Sequence, residues 1–185
     1  MRKTLAWTLL MVTACGSEPE INLKNATAEQ VAAEVKKSGI VGETRFRPGE
    51  WRVDTQVQDV VAEGLPPQVA QQMKTQMGSL SSDVQCLTPE QAARPSSEMF
   101  AGKKTGGSCK YDSFEMADGR MKATMSCPNA SGAKMSMTMD GSYSKTSYTV
   151  DAAMRMDSPS PGQSMTVKMQ SKGTRIGECT AQPKS

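Results

Sequence analysis

Apolar and polar side chains alternate in four successive segments of the second half of the chain, and this feature constrains the fold more than any other. In the clearest segment Met135, Met137 and Met139 alternate with serine, threonine and aspartate. Successive side chains of a β-strand point to opposite faces of a sheet, so this period of two predicts strands with one buried face. The four segments are residues 121–127, 135–140, 150–156 and 165–169.

Turn signals, and the absence of long helical segments between these strands, indicate how the strands connect. Asp118-Gly119 lies between two predicted strands and suits the positive φ angles of a tight hairpin turn. Further upstream, a capping box at Thr27–Gln30 predicts a short helix over residues 28–38. The chain is therefore predicted to be mainly β with short helices: a curved antiparallel sheet, as a partly closed barrel or sandwich, with one or two helices packed against it.

The N-terminus has the features of a bacterial lipoprotein leader. Arg2 and Lys3 precede a mostly apolar run over residues 4–14, which is too short to span a bilayer. The run ends in Val12-Thr13-Ala14-Cys15, which resembles the lipobox, whose cysteine is acylated and becomes the first residue after cleavage. An ordinary secretory signal with an incidental cysteine is the alternative. We predict lipidation, as by palmitate, at Cys15.

Two acyl chains on Cys15 would hold the protein stably on a membrane. Gly16 follows the cysteine, where lipoproteins of the inner membrane often carry aspartate, so the resemblance implies the outer membrane with the body facing the periplasm. The predicted division of the chain is a signal peptide over residues 1–14, an acylated tether over 15–27, a short helix and linker over 28–45, and a single disulfide-bonded domain over 46–180.

Composition excludes several classes of function. The chain contains no histidine, which removes the commonest general base and the commonest zinc ligand. Its formal charge of +3 falls by two, to +1, when the leader with Arg2 and Lys3 is removed. A nearly neutral body lacks the electrostatic footprint of a nucleic-acid-binding protein. We therefore predict a non-enzymatic protein without a cofactor, whose partners are the membrane and an apolar small ligand or another envelope protein.

Several short motifs resemble those of one bacterial family. They are Phe46-Arg47-Pro48-Gly49-Glu50-Trp51, Cys86-Leu87-Thr88-Pro89-Glu90-Gln91-Ala92, Cys109, Cys127 and Gly177-Glu178-Cys179. Together they make the chain similar to DUF3617, a domain of unknown function in bacterial envelope proteins, over roughly residues 46–179. That family carries no established activity, so the resemblance implies a fold and a compartment but no mechanism.

Four cysteines remain once Cys15 is set aside. An even number of cysteines in an exported domain predicts disulfides, with three pairings open. We favour Cys109–Cys127, which flanks the predicted hairpin, together with Cys86–Cys179. A metal site is the alternative, although no two cysteines have the C-x₂-C spacing and no histidine can complete a ligand set.

The predicted hairpin has two conflicting registers. A three-residue loop over residues 117–119 would set Cys109 directly opposite Cys127. A two-residue loop would set Met116 opposite Met121 and would miss the cysteine register by one residue. A β-bulge in one strand would reconcile the two registers.

The methionines allow three interpretations. Aromatic residues make up only 4% of the chain, so methionine is predicted to fill a plastic core in their place. Met135, Met137 and Met139 could instead bind Cu(I) through their soft sulfur atoms. In the third interpretation a concave face of the sheet binds an apolar ligand. The residues predicted for that face are Met121, Met125, Met135, Met137, Met139, Met154, Met156, Met165 and Met169.

These features leave two classes of function for a lipid-anchored envelope protein. One is a structural or interaction module whose apolar face is filled by its own side chains. The other is a binding protein for an apolar ligand, and a cavity above about 300 Å³ would favour it.

Overall fold

The chain folds into one antiparallel β-sheet of eight strands, with three helices among the residues that the structure describes. This computed structural model describes residues 20–38, 46–77, 81–93, 109–128, 133–159 and 162–180. The strands are β1 (Ile21–Thr27), β2 (Gly49–Glu63), β3 (Ser81–Leu87), β4 (Lys110–Ala117), β5 (Arg120–Pro128), β6 (Lys134–Tyr143), β7 (Ser147–Asp157) and β8 (Ser164–Gly177). The helices are α1 (Ala28–Lys37), α2 (Pro67–Met77) and α3 (Pro89–Ala93).

The predicted fold class is confirmed. The strands follow the order β1-β4-β5-β6-β7-β8-β2-β3 across the sheet, and every neighbouring pair is antiparallel. β1 and β3 form the two edges, so the sheet is open. It is also curved, because β3 and β4, which lie near opposite edges, line the same cavity. The described residues hold three helices where one or two were expected.

The strand register places the apolar side chains on one face of the sheet. Met125 lies opposite Met137, and Met137 lies opposite Met154, so these three form one row across β5, β6 and β7. The rows on either side repeat this arrangement and bring all nine methionines of the predicted apolar face onto one side. We call this side the apolar face. The opposite, polar face carries mostly hydroxyl and charged side chains.

The β4–β5 hairpin resolves the two conflicting registers through a bulge. Asp118 and Gly119 have φ angles of 50° and 70°, and Met116 lies opposite Met121, as a two-residue loop requires. A register shift between Tyr111 and Ser113 then accommodates one extra residue in β4.

Both predicted disulfides are confirmed. Cys109 is bonded to Cys127 across the open end of the hairpin, with their Cα atoms 4.1 Å apart. Cys86 in β3 is bonded to Cys179, just after β8, with their Cα atoms 5.4 Å apart. Because β2 lies between β8 and β3 in the sheet, the second bond spans a strand and ties the β3 edge to the body of the sheet.

Aromatic and β-branched side chains, rather than methionines, occupy the centre of the core. Tyr111 and Phe114 are 2% and 0% exposed, and Val31 and Val35 of α1 belong to the same buried cluster. Met125 is the one methionine in that cluster, while several others pack half-buried around it. The prediction that methionine replaces aromatic residues in the core thus holds only for its periphery. The reason is that the bulge in β4 brings both rings of that strand onto the apolar face.

The predicted tether over residues 15–27 is wrong for its second half. Residues 21–27 form β1, which pairs with β4 along its length, and Ile21 and Ala26 are buried. Ile21 and Ala26 therefore belong to the core, and the half-buried side chain of Leu23 packs against it. Cys15, the signal peptide and the first part of the tether lie outside the described residues.

The helices begin where local sequence signals place them. Thr27 and Gln30 form the predicted capping box, in which each backbone N–H is bonded to the other residue's side chain. Thr88 and Gln91 form a second one at the start of α3. None of the helices in the described ranges is long and apolar enough to cross a bilayer.

Candidate functional site

A cavity of about 400 Å³ lies on the apolar face, between strands from the two sides of the curved sheet. Its walls come from β2 and β3 on one side and from β4 to β7 on the other. This volume falls within the range of pockets that bind small molecules. The residues lining it are Phe46, Trp51, Val53, Gln85, Leu87, Tyr111, Phe114, Met116, Met121, Met139, Gly141, Ser142, Tyr143, Tyr148 and Val150.

The aromatic residues of the chain are concentrated around this cavity. The sequence holds two tryptophans, three tyrosines and three phenylalanines. Six of these eight residues line the cavity. The other two, Trp7 and Phe100, lie outside the described residues. Every aromatic side chain that the structure describes therefore lines this one cavity.

Three rings meet where Tyr148 of β7 contacts Phe46 and Trp51 of the β2 side. The Phe46 and Trp51 rings meet edge to face with centroids 5.2 Å apart, and the Tyr148 ring lies parallel to Trp51 at 6.3 Å. The indole Nε1–H of Trp51 donates a hydrogen bond of 3.0 Å to the Arg47 carbonyl. The Arg47 N–H donates to the carbonyl of Lys145, which ties this segment to the β6–β7 turn. These two hydrogen bonds hold the Trp51 ring against the Arg47 backbone, and the Arg47 backbone against the β6–β7 turn that precedes Tyr148.

Two glycines allow this arrangement. The Tyr148 ring lies over Gly173 of β8, where any Cβ would overlap the ring atoms. Gly49, at the start of β2, has a φ of 140° and lies against the Gly177 carbonyl and the Arg175 side chain. A side chain at that position would be strained and would collide with both. The Pro48-Gly49-Glu50-Trp51 motif therefore has a structural role: it sets the position of Trp51.

Tyr111 and Phe114 form the opposite wall. Their rings meet edge to face at 5.5 Å, although the two residues are three apart in a strand. Regular alternation would place them on opposite faces, and the bulge between Tyr111 and Ser113 brings them onto the same one. Burial raises the pKa of Tyr111 to about 12, because the apolar surroundings disfavour the phenolate. Tyr111 is therefore neutral at any physiological pH.

The chemistry of the lining is that of a binding site for an uncharged, apolar group. No aspartate, glutamate, lysine or arginine is among the lining residues, and Gln85 and Ser142 supply hydrogen-bonding groups beside the tyrosine hydroxyls. A cavity of this kind binds through burial of apolar surface and ring contacts, with a few polar groups to orient the ligand.

The Cys86–Cys179 disulfide stabilises one wall of the cavity. Gln85 and Leu87, the neighbours of Cys86 in β3, both line the cavity. β3 is an edge strand and pairs only with β2 among the described residues. The covalent bond to Cys179 therefore holds in place an edge that hydrogen bonds support from one side only.

The sequence located the face of the sheet but not the site on it. Of the nine methionines predicted for the apolar face, Met121 and Met139 line the cavity, and the remaining seven lie elsewhere on that face. Of the three residues considered for Cu(I), only Met139 lines it. The described residues contain no group of three or more cysteine, aspartate or glutamate side chains that could hold a metal ion.

The aromatic lining of the cavity was not predicted from the sequence. One available signal was the pair Tyr143 and Tyr148, which lie in the short segment between two predicted strands.

A second concavity, of about 470 Å³, lies over the polar face. Charged side chains contribute to its lining, and some of them are already paired. Lys122 Nζ lies 3.4 Å from Asp140 Oδ2, and the Gln170 amide donates to Asp151 Oδ1 at 2.7 Å. Exposed pairs of this kind are typical of a solvated surface. The apolar cavity is therefore the better candidate for a specific site.

Fold and cavity together define a small protein with two disulfides, built on one open antiparallel sheet around an aromatic-lined apolar cavity. Within that class the chain belongs to the DUF3617 family. The family model described as "Protein of unknown function (DUF3617)" matches residues 46–179, which include all six lining aromatics and both disulfides. Neither the comparison with curated proteins nor the comparison with solved structures finds a match.

Proposed function

We propose that the mature chain is a lipid-anchored, non-enzymatic protein of the bacterial cell envelope whose cavity binds an uncharged apolar ligand. The anchor is Cys15, and the body faces the periplasm from the outer membrane. The observation that carries the binding function is that six of the eight aromatic residues line one cavity of about 400 Å³.

Two features support the proposed location. The leader combines Arg2 and Lys3 with an apolar run that ends at Cys15 in a lipobox-like sequence. Both disulfides favour an oxidising compartment, because thiols in the cytosol are kept reduced.

The lining supports binding rather than catalysis. The whole chain lacks histidine, and the lining residues carry no carboxylate, amine or guanidinium group. The serine and tyrosine hydroxyls in the lining therefore have no imidazole, carboxylate or amine beside them in the lining to activate them for nucleophilic or acid–base catalysis.

Binding of a neutral fluorescent probe would test the proposed function. The chain from Gly16 onwards, which contains every described element, would be titrated with N-phenyl-1-naphthylamine. We expect a saturable rise in probe emission with one site per chain. Val53→Phe, which adds a ring inside the cavity, should abolish the rise.

Val61→Phe is the matched control for that variant. Val61 lies on the same strand, is 42% exposed and does not line the cavity, so binding should be retained. Equal probe binding by the two variants would contradict the proposed site. No binding by the unmodified chain would instead favour a structural or interaction module.

A further inference from the structure

The cavity lies towards one end of the sheet. Met116 and Met121 adjoin the β4–β5 turn, and Tyr143 and Tyr148 flank the β6–β7 turn; all four line the cavity. At the opposite end, where Cys127 lies opposite Met135, β5, β6 and β7 contribute no lining residue, and Tyr111 near the start of β4 extends the lining towards that end. The end with the two turns is therefore the cavity end of the sheet.

The chain enters the fold at this same end. Ile21, the first residue of β1, lies opposite Met116, which lines the cavity. Residues directly opposite in antiparallel strands have Cα atoms about 5 Å apart. Cys15 precedes Ile21 by six residues, and a chain of that length spans at most about 20 Å. An anchor at Cys15 would thus keep the cavity end of the sheet close to the bilayer.

Exposed cationic side chains surround the cavity end. Arg47 follows Phe46 of the cavity wall, Arg120 precedes Met121, and Lys145 lies in the β6–β7 turn. All three are exposed, and none is in an ion pair with another residue in the described ranges. Acidic residues also lie at this end: Asp118 in the β4–β5 turn, Glu20 just before β1, and Glu178, which is paired with Arg175. Basic side chains at a membrane surface are attracted by anionic lipid headgroups.

We propose that the cavity takes one acyl chain of an anionic phospholipid from the bilayer to which the protein is anchored. This inference rests on the proposed function and specifies its ligand. The uncharged lining receives the acyl chain, and Arg47, Arg120 and Lys145 lie where the phosphate would remain in solvent. The short tether keeps the cavity within reach of the bilayer surface.

Fluorescence of Trp51 provides a direct test. Trp51 lines the cavity, is 3% exposed, and is the one tryptophan that remains once the leader containing Trp7 is removed. Bromine atoms quench tryptophan only at close contact. The lipidated protein would be reconstituted into vesicles of phosphatidylethanolamine and phosphatidylglycerol, with brominated acyl chains on the phosphatidylglycerol.

We expect Trp51 emission to fall in these vesicles relative to unbrominated ones. Val61→Phe should behave as the unmodified protein does. Val53→Phe and Met121→Phe, which fill the cavity from opposite walls, should remove the quenching, and their urea midpoints would show that both are folded. Moving the bromine to phosphatidylethanolamine should reduce the quenching, because the cationic residues favour the anionic lipid.

The outcomes separate this inference from the proposed function. If the soluble chain binds the neutral probe but brominated vesicles leave Trp51 emission unchanged, the ligand is not a bilayer lipid and only this inference fails. If neither brominated lipid quenches Trp51 and the anchored protein also fails to bind the probe, the acyl chain on Cys15 itself occupies the cavity, which overturns the inference as well. If the soluble chain binds no probe, both proposals fail.

Discussion

Removal of the Cys86–Cys179 disulfide should cost a large part of the stability of the protein. The bond joins residues separated by 93 positions, and the Cys109–Cys127 bond, with a separation of 18, already shortens the loop that it closes. The loop-closure entropy of such a loop corresponds to about 4.5 kcal/mol at 25 °C. Both cysteines are partly exposed, so a Cys86→Ser/Cys179→Ser variant would lose little packing, and the entropy should dominate the change.

Urea unfolding followed by circular dichroism would measure this effect. With a denaturant slope of about 2 kcal/mol per M, a loss of about 4.5 kcal/mol lowers the unfolding midpoint by roughly 2 M. The slope itself should rise, because the unfolded chain exposes more surface without the crosslink. A stability loss below about 1 kcal/mol with an unchanged slope would refute the reasoning, since it would mean that the unfolded chain already keeps residues 86 and 179 close together.

Three further predictions follow from burial and packing. The raised pKa of Tyr111 should make its contribution to the free energy of unfolding complete below pH 10 and decreasing as the pH rises towards the folded-state pKa of about 12. Unfolding measured at pH 11 should therefore show a free energy of unfolding lower by about 1.4 kcal/mol than below pH 10, and Tyr111→Phe should lack this decrease. Gly173→Ala should lower the free energy of unfolding by roughly 1–3 kcal/mol and weaken probe binding, because the added Cβ would overlap the Tyr148 ring of the cavity wall. Gly177→Ala is the control on the same strand: its Cβ would meet no atom within 4 Å, so neither stability nor probe binding should change. Val35→Ala in α1 should cost about 2 kcal/mol in urea unfolding if the N-terminal segment belongs to the core, and Val69→Ala, at a position 40% exposed in α2, should stay within about 0.5 kcal/mol.

The parts of the fold that follow from local rules could be predicted from the sequence. The alternation around Met135–Met139 identified the strands and their common face, and Asp118-Gly119 identified the hairpin turn. The capping box at Thr27 located the start of α1. Each of these signals depends on residues fewer than ten positions apart, so no knowledge of the three-dimensional arrangement was needed.

β1 could not be predicted because its alternation is interrupted. Ile21 and Leu23 are two positions apart, but the next buried residue, Ala26, comes three positions later. Asn25, between them, has a φ of 52°, a left-handed conformation that breaks the period of two. With three further polar residues in the segment, the pattern was typical of a tether, and only pairing with β4 shows it to be a strand.

The cavity could not be predicted because its walls are distant in the sequence. Trp51 and Tyr148 are almost one hundred positions apart, and their rings come together only through the order of β7, β8 and β2 and the curvature of the sheet. Alternation assigns a residue to a face, but it does not give the position along that face at which opposite edges approach. The scarcity of aromatic residues was visible in the sequence, whereas their convergence was not.

The bulge in β4 makes the two arms of its hairpin unequal in length, with consequences for mutations that change chain length. Tyr111 lies opposite Met125 and Ser113 opposite Thr124, so Asp112 is the extra residue. Loss of the Asp112 codon would leave these pairs, and Cys109 opposite Cys127, in an unbroken ladder. Such a deletion would preserve oxidation to the native disulfide while removing the local bend between β4 and β5. On the other side of β4, Lys24 and Ala26 pair with Ser113 and Tyr111, so Asn25 would become the extra residue, and the bulge would pass from β4 to the edge strand β1.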